Sequence, residues 1–305
     1  MLWKYCKEYG VGMCFVTGIT RVLRKIGGNE LAEKYEPIKY KYIVDWIRDN
    51  YGGVAEKIAS ESHTESKIDP NCRIWIFWWQ GKDSMPPIVQ ACYKSVLKHK
   101  DNHEVVLVTK DNVKKYVNIP EYIYNLASDG KISITHLSDV VREHILYQQG
   151  GIWMDATLYM TAPFNENIYQ YEYYSLKGAF KIWPWTSFFQ ASGKGNVQSQ
   201  IVSELFRAYL AEHDNMLTYL LLDCFIAIAC QTSHHARQQI EALPTVDNGV
   251  FDLNDHYLDK PYNDSILRKI ENKSNIHKLS YKYPHLMYKD GLDTFWSVLI
   301  HETLD

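Results

Sequence analysis

The sequence predicts an α/β protein with a mostly parallel central sheet covered by helices, and three observations predict it. Short apolar runs ("RIWIFWW", "EVVLVT", "IWM") alternate with segments of helical spacing. The runs are almost continuously apolar, as strands buried on both faces are. Gly or Pro punctuates most of the joints between them.

In chain order, residues 1–70 read as an N-terminal helical region separated by the glycine pairs Gly27-Gly28 and Gly52-Gly53. It ends in the polar linker "SESHTESKIDPN". Residues 71–305 read as the main domain. "RIWIFWWQG" is a strand closed by Gly, and "SMPPIVQACYKSVLKHK" is a helix with Ser before a Pro pair and Val89, Cys92 and Val96 at helical spacing. "EVVLVT" is a second strand, "DNVKKYVN" and "PEYIYNLASDG" are short helices, and "KISITH" alternates as a third strand would. "SDVVREHILYQQGG" is then a helix and "IWM" a fourth strand. A helical insertion follows at about 197–243, and "NIHKLSYKY" returns to a strand.

Composition excludes several function classes. The 305 residues carry a formal charge of −3 with both signs mixed throughout, so the basic stripe that nucleic acid requires is missing and no nucleic-acid partner is expected. The apolar fraction of 46% is that of a folded chain, and 9 Trp with 23 Tyr supply flat faces for ligands. Six cysteines without a C-x-x-C pair read as reduced, mostly buried thiols, and hence as a cytoplasmic protein. The longest apolar stretch, Tyr219 to Cys230, is too short to span a bilayer and reads as a core helix. Within residues 11–26, Val11, Phe15, Ile19, Val22 and Ile26 fall on one helical face while Arg21, Arg24 and Lys25 project elsewhere. That segment reads either as a helix packed on its own domain or as a peripheral contact with the inner face of the cell membrane.

Ligands of parallel sheets bind outside the carboxyl ends of the strands, here Trp78 to Lys82 and Asp155 to Thr157. In "YQQGGIWMDATLY", Gly150 stands where a helix end requires a left-handed residue. Strand alternation places Ile152 and Met154 on one face and Asp155 and Thr157 on the other. Two oxygen groups at a strand end suit Mg²⁺ or Mn²⁺ holding a diphosphate. Upstream, Asp139 and Arg142 in "SDVVR" are three apart on one helical face.

The combination of an apolar strand ending in Trp, S-D-x-x-R on a helix and G-G-I-W-x-D-x-T resembles glycosyltransferase family 32 and, more closely, the related capsular polysaccharide synthesis proteins. It covers residues 73 to about 163, with "IHKLSYK" as a further similarity. The resemblance implies a GT-A-like nucleotide-diphosphosugar transferase fold, a UDP-sugar donor, a divalent metal (Mn or Mg) and retention of anomeric configuration. It places Trp78 on the uracil, with Trp79 as the rival stacker, and Asp139 on ribose or uracil. Arg142 falls on donor sugar or phosphate, and Asp155 on ribose and metal. Thr157 departs from the D-x-D pattern, and a neutral hydroxyl is a poorer metal ligand than a carboxylate. His277 is the compensating metal ligand the resemblance points to, and Lys278 and Lys282 would offset diphosphate charge.

The expected function is a retaining glycosyltransferase (hexosyltransferase class) that moves a sugar from a UDP-sugar to a glycan or lipid-linked oligosaccharide acceptor in capsule or exopolysaccharide synthesis. Asp223 and Asp247 are candidate acceptor contacts. The alternative is a nucleotide-sugar-binding protein without turnover, suggested by the missing second acid. A sugar-phosphate nucleotidyltransferase needs a Gly-rich loop after the first strand, and "QGKDSMPP" has one Gly.

Overall fold

A computed structural model describes residues 2–61, 66–179, 182–245 and 248–301. The chain forms two compact units, one of residues 1–63, 120–143 and 197–238, the other of residues 64–119, 144–196 and 239–305.

The second unit is built on a mixed five-stranded sheet. Its strands are β1 (Ile74–Phe77), β2 (Val105–Val108), β3 (Gly151–Asp155), β5 (Tyr173–Ser175) and β6 (Phe189–Ser192), in the order β2-β1-β3-β6-β5. β2, β1 and β3 run parallel, while β6 is antiparallel to both β3 and β5. The expected parallel centre is therefore present, and an antiparallel edge is added to it. β4 (Leu158–Met160) leaves the sheet and pairs antiparallel with β7 (Ile276–Lys278).

Alternation sorts the side chains. Ile74, Ile76, Ile152 and Met154 face a core completed by Ile88, Val89, Cys92 and Val96 of α2 (Pro87–His99), all buried. The opposite face carries Trp75, Phe77 and Trp153, so the "IWIF" and "IWM" runs are apolar on both sides for different neighbours. Trp75 meets the ring of Tyr116, in the one-turn helix α3 (Val113–Tyr116), edge-on at 5.3 Å.

The first unit is helical. It takes in α1 (Leu2–Ala59), α4 (Glu121–Ser128), the first part of α5 (Ile134–Gln149), α6 (Val197–Glu212), α7 (Leu221–Thr232) and the start of α8 (His234–Glu241). Gly10 (φ 86°) and Gly28 (φ 68°) break α1 into three pieces. α1 packs on α6 and α7. Where α1 meets α6 the contact is polar: the Tyr9 and Tyr209 hydroxyls lie 2.7 Å apart, and Tyr9 Oη donates to Asn215 Oδ1 at 2.7 Å. Glu8 pairs with His213 at 2.7 Å. The apolar run at Tyr219 to Cys230 is the buried core helix α7, as expected.

Three expectations are corrected. Gly52-Gly53 does not separate two helices, because α1 runs helical through the pair to Ala59. "KISITH" is not a strand: Ile134 opens α5, because the Ser133 side chain accepts the His136 N–H (3.1 Å) and the Ser133 carbonyl accepts the Leu137 N–H (2.9 Å). A local serine cap outweighs two isoleucines at strand spacing. The cysteines are not all reduced thiols, since Cys6 and Cys14 form a disulfide while Cys72, Cys92, Cys224 and Cys230 are free. The turn at Gly10 brings the two sulfurs together from positions eight apart. Among the described residues no helix is long and apolar enough to cross a membrane.

Candidate active site

The carboxyl end of β3 is aimed by the two glycines that precede it. Gly150 (φ 69°) ends α5, and its carbonyl accepts the Trp75 indole N–H at 2.8 Å. Gly151 (φ 110°) starts β3 against β1, so closely that a Cβ there would lie 2.6 Å from the Arg73 carbonyl oxygen. The helix stops within two residues, and β3 then carries Asp155 to the end of the sheet, in register with Phe77.

At that end the Asp155 carboxylate is bound on both oxygens. The Trp153 indole donates to Oδ1 at 3.2 Å, and the Lys278 ammonium donates to Oδ2 at 2.7 Å. Lys278 Nζ also donates to Thr157 Oγ1 at 2.9 Å and lies 5.1 Å from the centre of the Phe188 ring. The pairing of β4 with β7 sets Lys278 opposite Leu158, and the Leu279 N–H donates to the Thr157 carbonyl at 2.9 Å, so this cation is placed by backbone ladders. Asp155 and Lys278 are each about one-quarter exposed, which leaves the pair reachable from solvent.

Aromatic rings border the carboxylate. Phe77 stacks between Trp79 (5.8 Å) and Trp153 (6.3 Å), a column on the Asp155 side of the sheet. Trp78 donates its indole N–H to Ser84 at 2.8 Å and meets Tyr281 edge-on at 5.7 Å. Both expected stacking residues therefore stand at the carboxyl end of β1, half-buried. The sequence reading missed Ser84, Phe188 and Tyr281. The signal for Tyr281 was its place three residues after Lys278 in "KLSYK"; nothing local marked Phe188.

His277 is not brought to Asp155. Alternation along β7 turns it away from the Lys278 side, and it is wholly buried. Lys282 is exposed, and among the described residues its ammonium makes no ion pair. Asp139 and Arg142, in the helical unit, form the expected i,i+3 pair at 3.2 Å; it is buried rather than a surface pair, with the Arg142 side chain only 4% exposed. Asp223 is buried in α7, and Asp247 lies outside the described residues.

These donors do not fit a divalent cation. Both Asp155 oxygens are engaged, Thr157 offers a neutral hydroxyl already bound to an ammonium, and His277 faces elsewhere. Among the described residues no group of three or more His, Cys, Asp or Glu is placed to hold a metal.

Burial pushes the His277 imidazole down to a pKa of about 4, with its proton favoured only weakly by the Gly249 backbone and Asp252. The unfolded ring titrates near 6.5, so between these values the unfolded chain holds the extra proton. Stability is therefore full above about pH 6.5 and falls as pH drops toward 4. Denaturant titrations near pH 7 and about pH 4.5 are expected to differ by up to ~3 kcal/mol more in wild type than in His277→Gln. Equal pH dependence of the two would place the sensitivity on other groups.

Residues 24–298 match the family of capsular polysaccharide synthesis proteins. The chain belongs to that family. The capsular polysaccharide synthesis match takes in every site residue named above, from Trp78 to Lys282. The chain is also similar to the O-glycosyltransferase braB of Annulohypoxylon truncatum, at 33% identity over 110 residues. That similarity covers 33% of this chain and 26% of the other protein, so the chain spans about a quarter of that relative.

Proposed function

We propose that the protein is a retaining glycosyltransferase that transfers a sugar from a UDP-sugar to a glycan or lipid-linked acceptor, with a GT-A-like arrangement around the β3 end. The observation that carries this reading is the Lys278 ammonium held between Asp155 and Thr157 at the sheet's carboxyl end, beside two half-buried tryptophans. Membership of a capsular polysaccharide synthesis family and the similarity to an O-glycosyltransferase support the class.

In this reading the acceptor hydroxyl oxygen bonds to the donor's anomeric carbon as the bond from that carbon to the diphosphate oxygen breaks. The electron pair leaves with UDP, and the acceptor proton passes to the departing phosphate on the same face, which retains configuration. Negative charge grows on the phosphate, and a fixed ammonium in a partly dehydrated site lowers that cost. Lys278 is the group we assign to that task, with Asp155 anchoring it and bonding the donor ribose. Asp139 and Arg142 keep here only the roles the resemblance gives them, ribose or uracil for the first and donor sugar or phosphate for the second. Trp78 stacks the base, with Trp79 as its rival.

The test is a donor-hydrolysis screen of UDP- and GDP-sugars, run with Mn²⁺ and with a chelator. A UDP-sugar is expected to be hydrolysed, and the chelator to slow it less than about tenfold, because Lys278 supplies the cation. Loss of affinity in Trp78→Ala but not Trp79→Ala assigns the stacker. A strict Mn²⁺ requirement would move the charge role from Lys278 to a metal, and preference for a GDP-sugar would overturn the base. Donor binding without release, with or without acceptors, would leave a nucleotide-sugar-binding protein.

A further inference from the structure

The middle piece of α1, residues 11–27, has a buried face and, turned away from it, an exposed apolar face that an ordinary packed helix lacks. Met13 and Thr20 lie on its inward face, 0% and 7% exposed. Turned away from them by roughly half a circle at 100° per residue are Val11, Phe15, Val22 and Ile26, which are 78%, 68%, 56% and 73% exposed. Ile19 lies at the border and is half-buried. The stripe continues onto the next piece of α1: Gly12 packs against the Tyr42 hydroxyl, with no room for a Cβ between them, and Tyr42 and Ile38 are 41% and 61% exposed. Four large apolar side chains in one row of a helix, all more than half exposed, mark an interaction surface.

Charge identifies the occupant. From Tyr9 to Asn29 the chain has no acidic residue and three basic ones, Arg21, Arg24 and Lys25, all exposed. Lys25 and Arg21 fall on one flank of the stripe, where they reach the plane of a surface into which Phe15 and Ile26 insert. A second copy of this chain would bring the same three cations against themselves, whereas an anionic lipid surface pairs with them. We propose that this face docks on an anionic membrane surface, with the helix lying in the interface plane and its apolar row sunk among the acyl chains. This goes beyond the proposed transfer reaction and holds whatever sugar is moved. It also joins the two sequence readings of residues 11–26, because the inward face packs on the protein while the outward face remains apolar.

The experiment is co-sedimentation of the full chain with vesicles of phosphatidylcholine, alone or mixed with phosphatidylglycerol, at low and high salt. Binding to the mixed vesicles is expected to exceed binding to neutral ones by about tenfold and to weaken in high salt. Phe15→Asp is expected to lose about tenfold in binding, with an unchanged thermal melt, because the side chain is already exposed. The triple change Arg21→Gln, Arg24→Gln, Lys25→Gln is expected to keep weak binding and lose the preference for phosphatidylglycerol. Hydrolysis of soluble donor should be the same in all of these, which separates failure here from failure of the transferase reading. Equal sedimentation of wild type and Phe15→Asp would overturn the proposal. So would a dimer that Phe15→Asp dissociates in a protein that ignores vesicles, since a second copy would then be the occupant.

Discussion

Asp155→Ala is expected to lower donor hydrolysis by at least about 10³-fold, and Lys278→Ala by about 10²-fold or more. Asp155 anchors Lys278 at 2.7 Å, so in the proposed reaction removing the carboxylate costs both a bond to the donor and the fixed position of the ammonium. In the same proposed reaction, removing Lys278 costs the counter-charge to the leaving phosphate and leaves Asp155 facing the anionic donor without its cation. Thr157→Ala removes only the second acceptor of the ammonium, at 2.9 Å, and is expected to leave an enzyme within about tenfold of wild type. Single-turnover hydrolysis of the responding UDP-sugar measures all three, and thermal melts confirm folding. An active Asp155→Ala would mean that the β3 end is only a strand and its turn, and would remove the transferase site from this position.

Gly151→Ala is expected to destabilise the sheet unit by about 3 kcal/mol or more, and Gly130→Ala the helical unit by only about 1 kcal/mol. Both glycines have positive φ, 110° and 68°, but their surroundings differ. A methyl group at Gly130 meets nothing within 4 Å, while one at Gly151 collides with the Arg73 carbonyl oxygen at 2.6 Å and the Trp75 indole nitrogen at 2.7 Å. Those atoms belong to β1 and the residue before it, so neither can move without breaking the register that places Phe77 beside Asp155. Urea midpoints of the two variants give the comparison. A Gly151→Ala cost no larger than that of Gly130→Ala would show that β3 and β1 separate freely, and that the glycine pair does not aim Asp155.

The alternating apolar runs determined β1, β2 and β3 and the parallel centre, because strands buried on both faces need apolar residues at every position, and that is a local property. Gly150 and the three-residue spacing of Asp139 and Arg142 were legible for the same reason: helix ends and helix faces are set within one or two turns of chain. Local signals also misled, at "KISITH", where strand spacing hid a serine cap, and at Cys6 and Cys14, where a glycine turn joined thiols that no C-x-x-C marked. The partner of Asp155 was decided only by tertiary structure. His277 and Lys278 are neighbours in sequence, and only the register of β7 on β4 turns the lysine toward Asp155 and buries the histidine. That register depends on contacts between residues more than a hundred positions apart. The sequence determined which side chains the strand ends would offer, and the pairing of distant strands decided which of them meet.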